Sequence, residues 1–312
     1  MNAQGSISVV EPVGKAFDWT LRVLFRPLDP GKWFTIGFCA WLAFFGESGG
    51  GGFNFPGGGG RGGHGGRGGD FRAELERAQE FVVSNLYWII PVAVVVILLS
   101  IALMVLFTWL SSRGKFMFLD CVAQNKAEVS APWNHYGPSG DSLFRFRVVL
   151  ALLSLATILP ALGLAAFALF RLFVHSKPDV GLILLLVGSL LLFLLLAIVF
   201  WLVKKIIEDF LVPIMYARGI LWREGWRETA SLISGNLGTF VLYFLFQIVL
   251  GLATGIIVLA VVLFTCCIAG CLMLIPYIGT VLLLPVLVFY RAYSAFFMAQ
   301  FGPQYDVFAA PE

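Results

Sequence analysis

Cys266, Cys267 and Cys271 crowd into one short stretch of this 312-residue chain and form its densest group of reactive side chains. Cys267 and Cys271 stand one helical turn apart, with Gly270 between them to loosen the backbone toward bridging geometry. Three readings stay open. The thiols act as small apolar residues that let helices approach, they form a disulfide in an oxidising compartment, or they carry redox or metal chemistry. A metal has the least behind it, since the next acid downstream is Asp306 and no histidine stands nearby. The second candidate is Arg291, the one basic residue well inside an apolar run. A guanidinium in such a run is costly and tends to find a carboxylate. Glu208 and Asp209 are the acids that the topology below brings to it, and snorkelling of the arginine to the headgroups is the competing reading.

Other polar groups offer less. Gln247 and Ser189 fall inside apolar runs, where such residues usually make one interhelical hydrogen bond. The histidines His64, His135 and His175 lie in three different loops, and Asp120, Glu128 and Asp141 share a loop without a nucleophile at diagnostic spacing. There is no P-loop, dinucleotide fingerprint, HExxH or GxSxG. No catalytic, cofactor-binding or metal-ligating residue is assigned, and no cofactor is expected.

The elements that must hold these residues are apolar. Hydrophobic residues make up 59% of the chain and charged ones 12%, against roughly 45–50% and about 25% in soluble domains. Long runs at 89–110, 146–170, 181–203, 237–264 and 274–300 each reach the roughly 20 residues that cross a bilayer as a helix. They lack the alternation of a membrane β-strand. The run 33–46 is shorter, and reads as a short span, a tilted one or a re-entrant helix. Fourteen of the 21 Lys and Arg lie before residue 33, in 111–147 or in 204–236. The positive-inside bias then puts both termini in the cytoplasm with six crossings. Nothing near the start has the uninterrupted apolar core of a cleaved signal. The net charge of +3 is too small to suggest nucleic acid, and it suits an anionic membrane surface.

Residues 49–70 are mostly glycine and read as a flexible linker, with RNA binding by an RGG-type tract as the weaker alternative. Residues 71–86 read as a charged helix running into the second span, with a kink at Pro91. Val10, Val13, Phe17, Leu21, Leu24 and Leu28 recur at helical spacing opposite Lys15, Asp18, Arg22 and Arg26. Such a helix lies flat among headgroups or packs against the bundle. A similar pattern returns twice: Phe118–Leu119 precedes Trp133, and Phe210–Leu211 precedes Trp226. Asp29, Asp141 and Asn236 are the expected N-caps of the helices that follow. This spacing implies one integral membrane domain over 1–312, built from pseudo-repeats at 10–110, 111–205 and 206–300. Repeats with an even number of crossings are parallel, which disfavours the inverted repeats of many transporters.

The strings RGKFMFLDCVAQNKAEVSAPW, EDFLVPIMYARG and TCCIAGCLMLIPYIGTVLLLPVLVFYRAYSAFFMAQFGPQYDVF resemble an uncharacterised family of bacterial and archaeal multi-pass membrane proteins. The helix–loop–hairpin pattern is more distantly similar to the membrane domain attached to some glycerophosphodiester phosphodiesterases. Neither resemblance implies an activity, because the first family has none assigned and the catalytic barrel of the second is absent. The expected fold is all-α, a polytopic transmembrane bundle of six spans in three hairpins, each preceded by an amphipathic interfacial helix. The expected role is non-enzymatic: organising membrane lipids or a membrane or peripheral protein at the cytoplasmic surface of the cell membrane. A transporter or channel comes second and a membrane-embedded enzyme third.

Overall fold

The computed structural model describes residues 7–45, 86–174, 180–265, 268–273 and 275–308, which are almost entirely helical and contain no strand. Local chemistry sets the first boundaries. Pro12 sits in the opening turn of α1 (Glu11–Phe25), where its missing N–H costs nothing. Asp29 caps α2 (Pro30–Phe44): its Oδ1 accepts from the Gly31 amide at 2.9 Å, and Pro30 takes the first helical position. Then come α3 (Leu86–Gln124), the short α4 (Ser130–His135) and α5 (Gly137–Val174). The next helix, α6 (Val180–Ile206), passes through a π-helical turn at Ile207–Leu211 into α7 (Val212–Arg218). Gly219 ends α7 with φ at 63°, a conformation that costs glycine little. The chain continues as α8 (Trp222–Gly235), α9 (Leu237–Phe264), α10 (Ile268–Met273), α11 (Pro276–Leu282) and α12 (Leu284–Ala299), then a 3₁₀ turn at Pro303–Tyr305.

Four of these elements are long and apolar enough to cross a membrane: α3, α5, α6 with its continuation, and α9. Their most apolar windows are 0, 11, 6 and 6% buried inside the protein, so their side chains face outward almost everywhere. A water-soluble protein does not leave Leu and Val bare along four helices, whereas hydrocarbon is a good solvent for them. The remaining elements pack into a base. Val23, Leu24, Ile36, Cys39, Phe118, Phe210, Tyr243, Tyr293 and Phe297 share one buried cluster there. Phe116, Leu119, Leu143, Leu211, Met215 and Ala295 form an adjoining one.

Two of the six expected runs do not form single helices of spanning length. The run 33–46 yields α2, whose 15 residues extend only about 22 Å, short of a hydrocarbon core about 30 Å thick. It lies against the base half of α3, away from that helix's bare apolar half: Ser111 Oγ donates to the Ala43 carbonyl at 2.7 Å, and Lys32 Nζ to Asn125 Oδ1 at 2.6 Å. The run 274–300 is divided between α11 and α12 at Leu283, and α12 has 16 residues. The physical reason is local in both cases, since each run contains or adjoins prolines (Pro30; Pro276 and Pro285) and small residues that admit close backbone contact. The glycine tract 49–70 and nearly all of the expected charged helix 71–86 lie outside the described residues.

Of the other expected caps, Asp141 is corrected. It falls one turn inside α5, which begins at Gly137. Asn236 does stand at the start of α9, but its side chain makes no cap bond and instead donates from Nδ2 to the Leu232 carbonyl, closing α8.

Candidate functional site

Charged side chains from three helices meet inside the base. The π-helical turn presents Glu208 and Asp209 in succession, and the two carboxylates turn to different neighbours. Glu208 Oε1 takes Lys115 Nζ of α3 at 2.8 Å, with the lysine side chain only 4% exposed. Asp209 Oδ2 takes Lys205 Nζ, one turn back, at 3.0 Å. The same oxygen accepts from Tyr243 OH at 3.2 Å and Gln247 Nε2 at 3.0 Å, both on α9. Gln247 Nε2 also reaches Tyr243 OH at 2.8 Å, so these three side chains close a triangle. Lys204 stands 4.0 Å from Glu208 and is half exposed. An ionised carboxylate is held in such a place by charge-assisted bonds to several donors at once.

Arg291 of α12 completes the network. Its Nη1 donates to the main-chain carbonyl of Glu208 at 2.6 Å and its Nη2 to that of Lys115 at 3.2 Å. Arg291 thus meets Glu208, as the sequence suggested, but through the peptide oxygen; the carboxylates are occupied by the two lysines. Its Nε is buried without a hydrogen-bond partner among the described residues. One arginine therefore ties α3, the π-helical turn and α12 at a single point. Tyr243 and Tyr293 stack with ring centroids 5.3 Å apart, and Phe210 packs on Tyr243 at 5.0 Å, which walls the site with aromatic carbon.

Sequence reasoning missed Lys115, which was counted only as a loop cation. Its partner lies 93 residues away, and no local spacing announces such a pair. It also missed the π-helical turn, although two adjacent acids in an apolar helix were its only trace.

Three further polar groups anchor the base. Asp141, unneeded as a cap, takes Arg113 on both oxygens, at 3.0 and 2.8 Å, and Trp109 Nε1 at 2.9 Å. The guanidinium lies 4.6 Å from the Trp109 ring and 5.1 Å from that of Trp133, within cation–π range of both. Asp120 accepts from Tyr216 OH at 2.8 Å and Gln124 Nε2 at 2.7 Å. Tyr136, outside the long helices, stacks on Tyr216, and burial raises its phenol pKa above the ordinary value. Tyr305 OH donates to Glu228, which also pairs with Arg218, so the 3₁₀ turn at Pro303–Tyr305 is pinned to α7 and α8.

Of the cysteine cluster, Cys271 carries an exposed free thiol; Cys266 and Cys267 lie outside the described residues. The fold instead assembles a pair that spacing did not suggest. Cys39 of α2 and Cys121 of α3 are both buried, with their sulfurs 3.7 Å apart. Among the described residues no group of three or more His, Cys, Asp or Glu side chains gathers as a metal site.

The chain belongs to a family of unknown function, DUF7544, whose model matches residues 7–299. No curated protein and no solved structure matches the chain.

Proposed function

We propose that this protein is a non-enzymatic multi-pass membrane protein whose base organises lipid, or a partner protein, at the cytoplasmic surface of the cell membrane. The observation that carries the reading is the division of α1 into three faces. Pro12, Ala16, Thr20, Val23 and Leu24 are buried against the base. Phe17 and Phe25, with Val10 and Leu28 at the ends of the helix, are apolar and exposed, Phe17 by 57% and Leu28 by 65%. Lys15, Asp18 and Arg22 occupy the remaining face, also exposed. A helix at a bilayer surface meets protein, acyl chain and headgroup water at once, and these three faces suit the three surroundings. Lys15, Arg22 and Arg26 add attraction to an anionic leaflet. On the six-crossing layout read from the sequence, both termini lie on that side, with the basic segments 111–147 and 204–236.

Native mass spectrometry in nanodiscs of mixed phosphatidylglycerol and phosphatidylcholine tests this reading. The wild type should retain phosphatidylglycerol preferentially, and the pair Phe17→Ser with Phe25→Ser should lose at least half of the bound lipid while staying folded. Equal retention by both proteins, with no co-purifying partner, would end the proposal.

A transporter or channel is the second reading, favoured by the buried network around Asp209 and Arg291, because intramembrane charges often mark ion or substrate paths. Ion or solute flux in proteoliposomes that Asp209→Asn abolishes would put it first.

A further inference from the structure

The fold brings together two thiols that lie 82 residues apart in sequence and gives neither of them any other side-chain partner among the described residues. Cys39 is 0% exposed and Cys121 is 1% exposed. Their helices cross closely because small residues line the joint: Ala40 and Ala43 on α2, Gly114 on α3. A side chain built on Gly114 would come within 2.6 Å of the Ala43 backbone, so no spacer holds the helices apart. Cys121 Sγ also lies 3.4 Å from the Glu128 carbonyl, which leaves its hydrogen two acceptors to choose between. Bond formation requires the sulfurs to close from 3.7 Å to about 2.05 Å.

We propose that Cys39 and Cys121 form a redox-sensitive dithiol, which a low-molecular-weight disulfide converts into a bond stapling α2 to α3. When a local opening of the α2–α3 joint admits the oxidant, one of the two, as thiolate, attacks a sulfur of the oxidant and expels one thiolate. The other cysteine, after losing its proton, attacks the resulting mixed disulfide, forms the Cys39–Cys121 bond and expels the second thiolate. The protein loses two electrons and two protons, and the oxidant is reduced to two thiols. In a cytoplasmic base the reduced pair is the resting form, and the bond forms under oxidative challenge; cytosolic disulfides of this kind are usually transient and sensing. The oxidised joint fixes α2 beside Lys115, the residue through which α3 enters the buried ionic network. The dithiol does not depend on the lipid-organising role, and its test reads covalent chemistry only.

The full-length protein in nanodiscs is treated with oxidised glutathione, or with diamide, an azo compound that takes up the same two electrons and two protons to become a hydrazine. It is then denatured, alkylated and digested with trypsin. Cleavage at Lys32, Arg61, Lys115 and Lys126 places Cys39 in peptide 33–61 and Cys121 in peptide 116–126. The expected product is these two peptides joined, two hydrogens lighter than their sum and separated again by dithiothreitol. Cys39→Ser should abolish it, while Cys271→Ser should leave it intact. Recovery of Cys39 and Cys121 as fully alkylated thiols after oxidation overturns the proposal, as does Cys121 joined only to Cys266, Cys267 or Cys271. Both readouts are available from the wild type alone, so a variant that does not fold leaves the test decisive.

Discussion

The buried charges of the base differ in what each would cost to lose. Lys115 and Glu208 are largely withdrawn from water as a pair, and breaking a buried pair by removing one partner typically costs up to about 3–5 kcal/mol. Glu208→Gln should therefore lower the melting temperature of the solubilised protein steeply. The double change Lys115→Met with Glu208→Leu should recover much of that loss, since apolar replacements avoid the desolvation that the pair has to offset. A double variant no better than the single would mean that Lys115 relies on other contacts. Arg291 gives the second comparison. Its guanidinium bonds to carbonyls of two different segments, whereas Arg171 is exposed and lies over Phe167. Arg291→Ala should cost at least twice the drop in melting temperature seen for Arg171→Ala, and equal drops would reduce Arg291 to a surface residue. Sequence alone pointed to Arg291, Glu208 and Asp209, because charge inside an apolar run is visible without a structure. It did not distinguish a carboxylate from its own peptide oxygen as the arginine's acceptor. That choice follows from the π-helical turn and from Lys115 and Lys205 having taken the carboxylates.

Elements were legible where their signals are local. Asp29 followed by Pro30 marks the start of α2 in two letters, and the cap bond spans two residues. Asp29→Ala should cost about 1 kcal/mol, measured as a shift of the unfolding midpoint. Asp141 has the same letter and a similar setting, yet Arg113 and Trp109, 28 and 32 residues upstream, claim its carboxylate. No reading of neighbours reveals that competition. The α2–α3 joint was equally hidden, because it depends on Gly114 meeting a backbone far away in the chain. Gly114→Ala places a methyl group 2.6 Å from Ala43 N and 2.7 Å from the Leu42 carbonyl carbon, both backbone atoms that cannot swing aside. The expected cost is about 1–3 kcal/mol. Gly163→Ala is the control: the same methyl meets nothing within 4 Å there, and helix propensity favours alanine. A Gly114→Ala protein as stable as the Gly163→Ala one would show that α2 does not depend on that contact.

At the scale of the whole molecule, α5 and α6 give the means to test the sidedness that composition first suggested. If both cross the bilayer, residues 126 and 223, which flank this pair, must lie on the same side whatever α2 and α12 do. Arg145 and Arg147 before the α5 apolar run and Lys204 and Lys205 after that of α6 are what support the proposed cytoplasmic placement of that side. Only helices long enough to cross enter this deduction. Lys126 and Arg223 are exposed, and Val180, at the opposite end of α6, is 69% exposed. Single cysteines at these three positions, in a protein whose Cys266, Cys267 and Cys271 are replaced by serine, therefore make a direct test. In intact cells an impermeant maleimide should label Val180→Cys and spare the other two; in inverted vesicles the pattern should reverse. Labelling of Lys126→Cys and Arg223→Cys from opposite sides would mean that α5 and α6 do not form a membrane hairpin. Labelling of both from outside would leave the hairpin but turn the base outward. The base thiols would then face an oxidising compartment, and Cys39 and Cys121 would be expected as a standing disulfide rather than a responsive one.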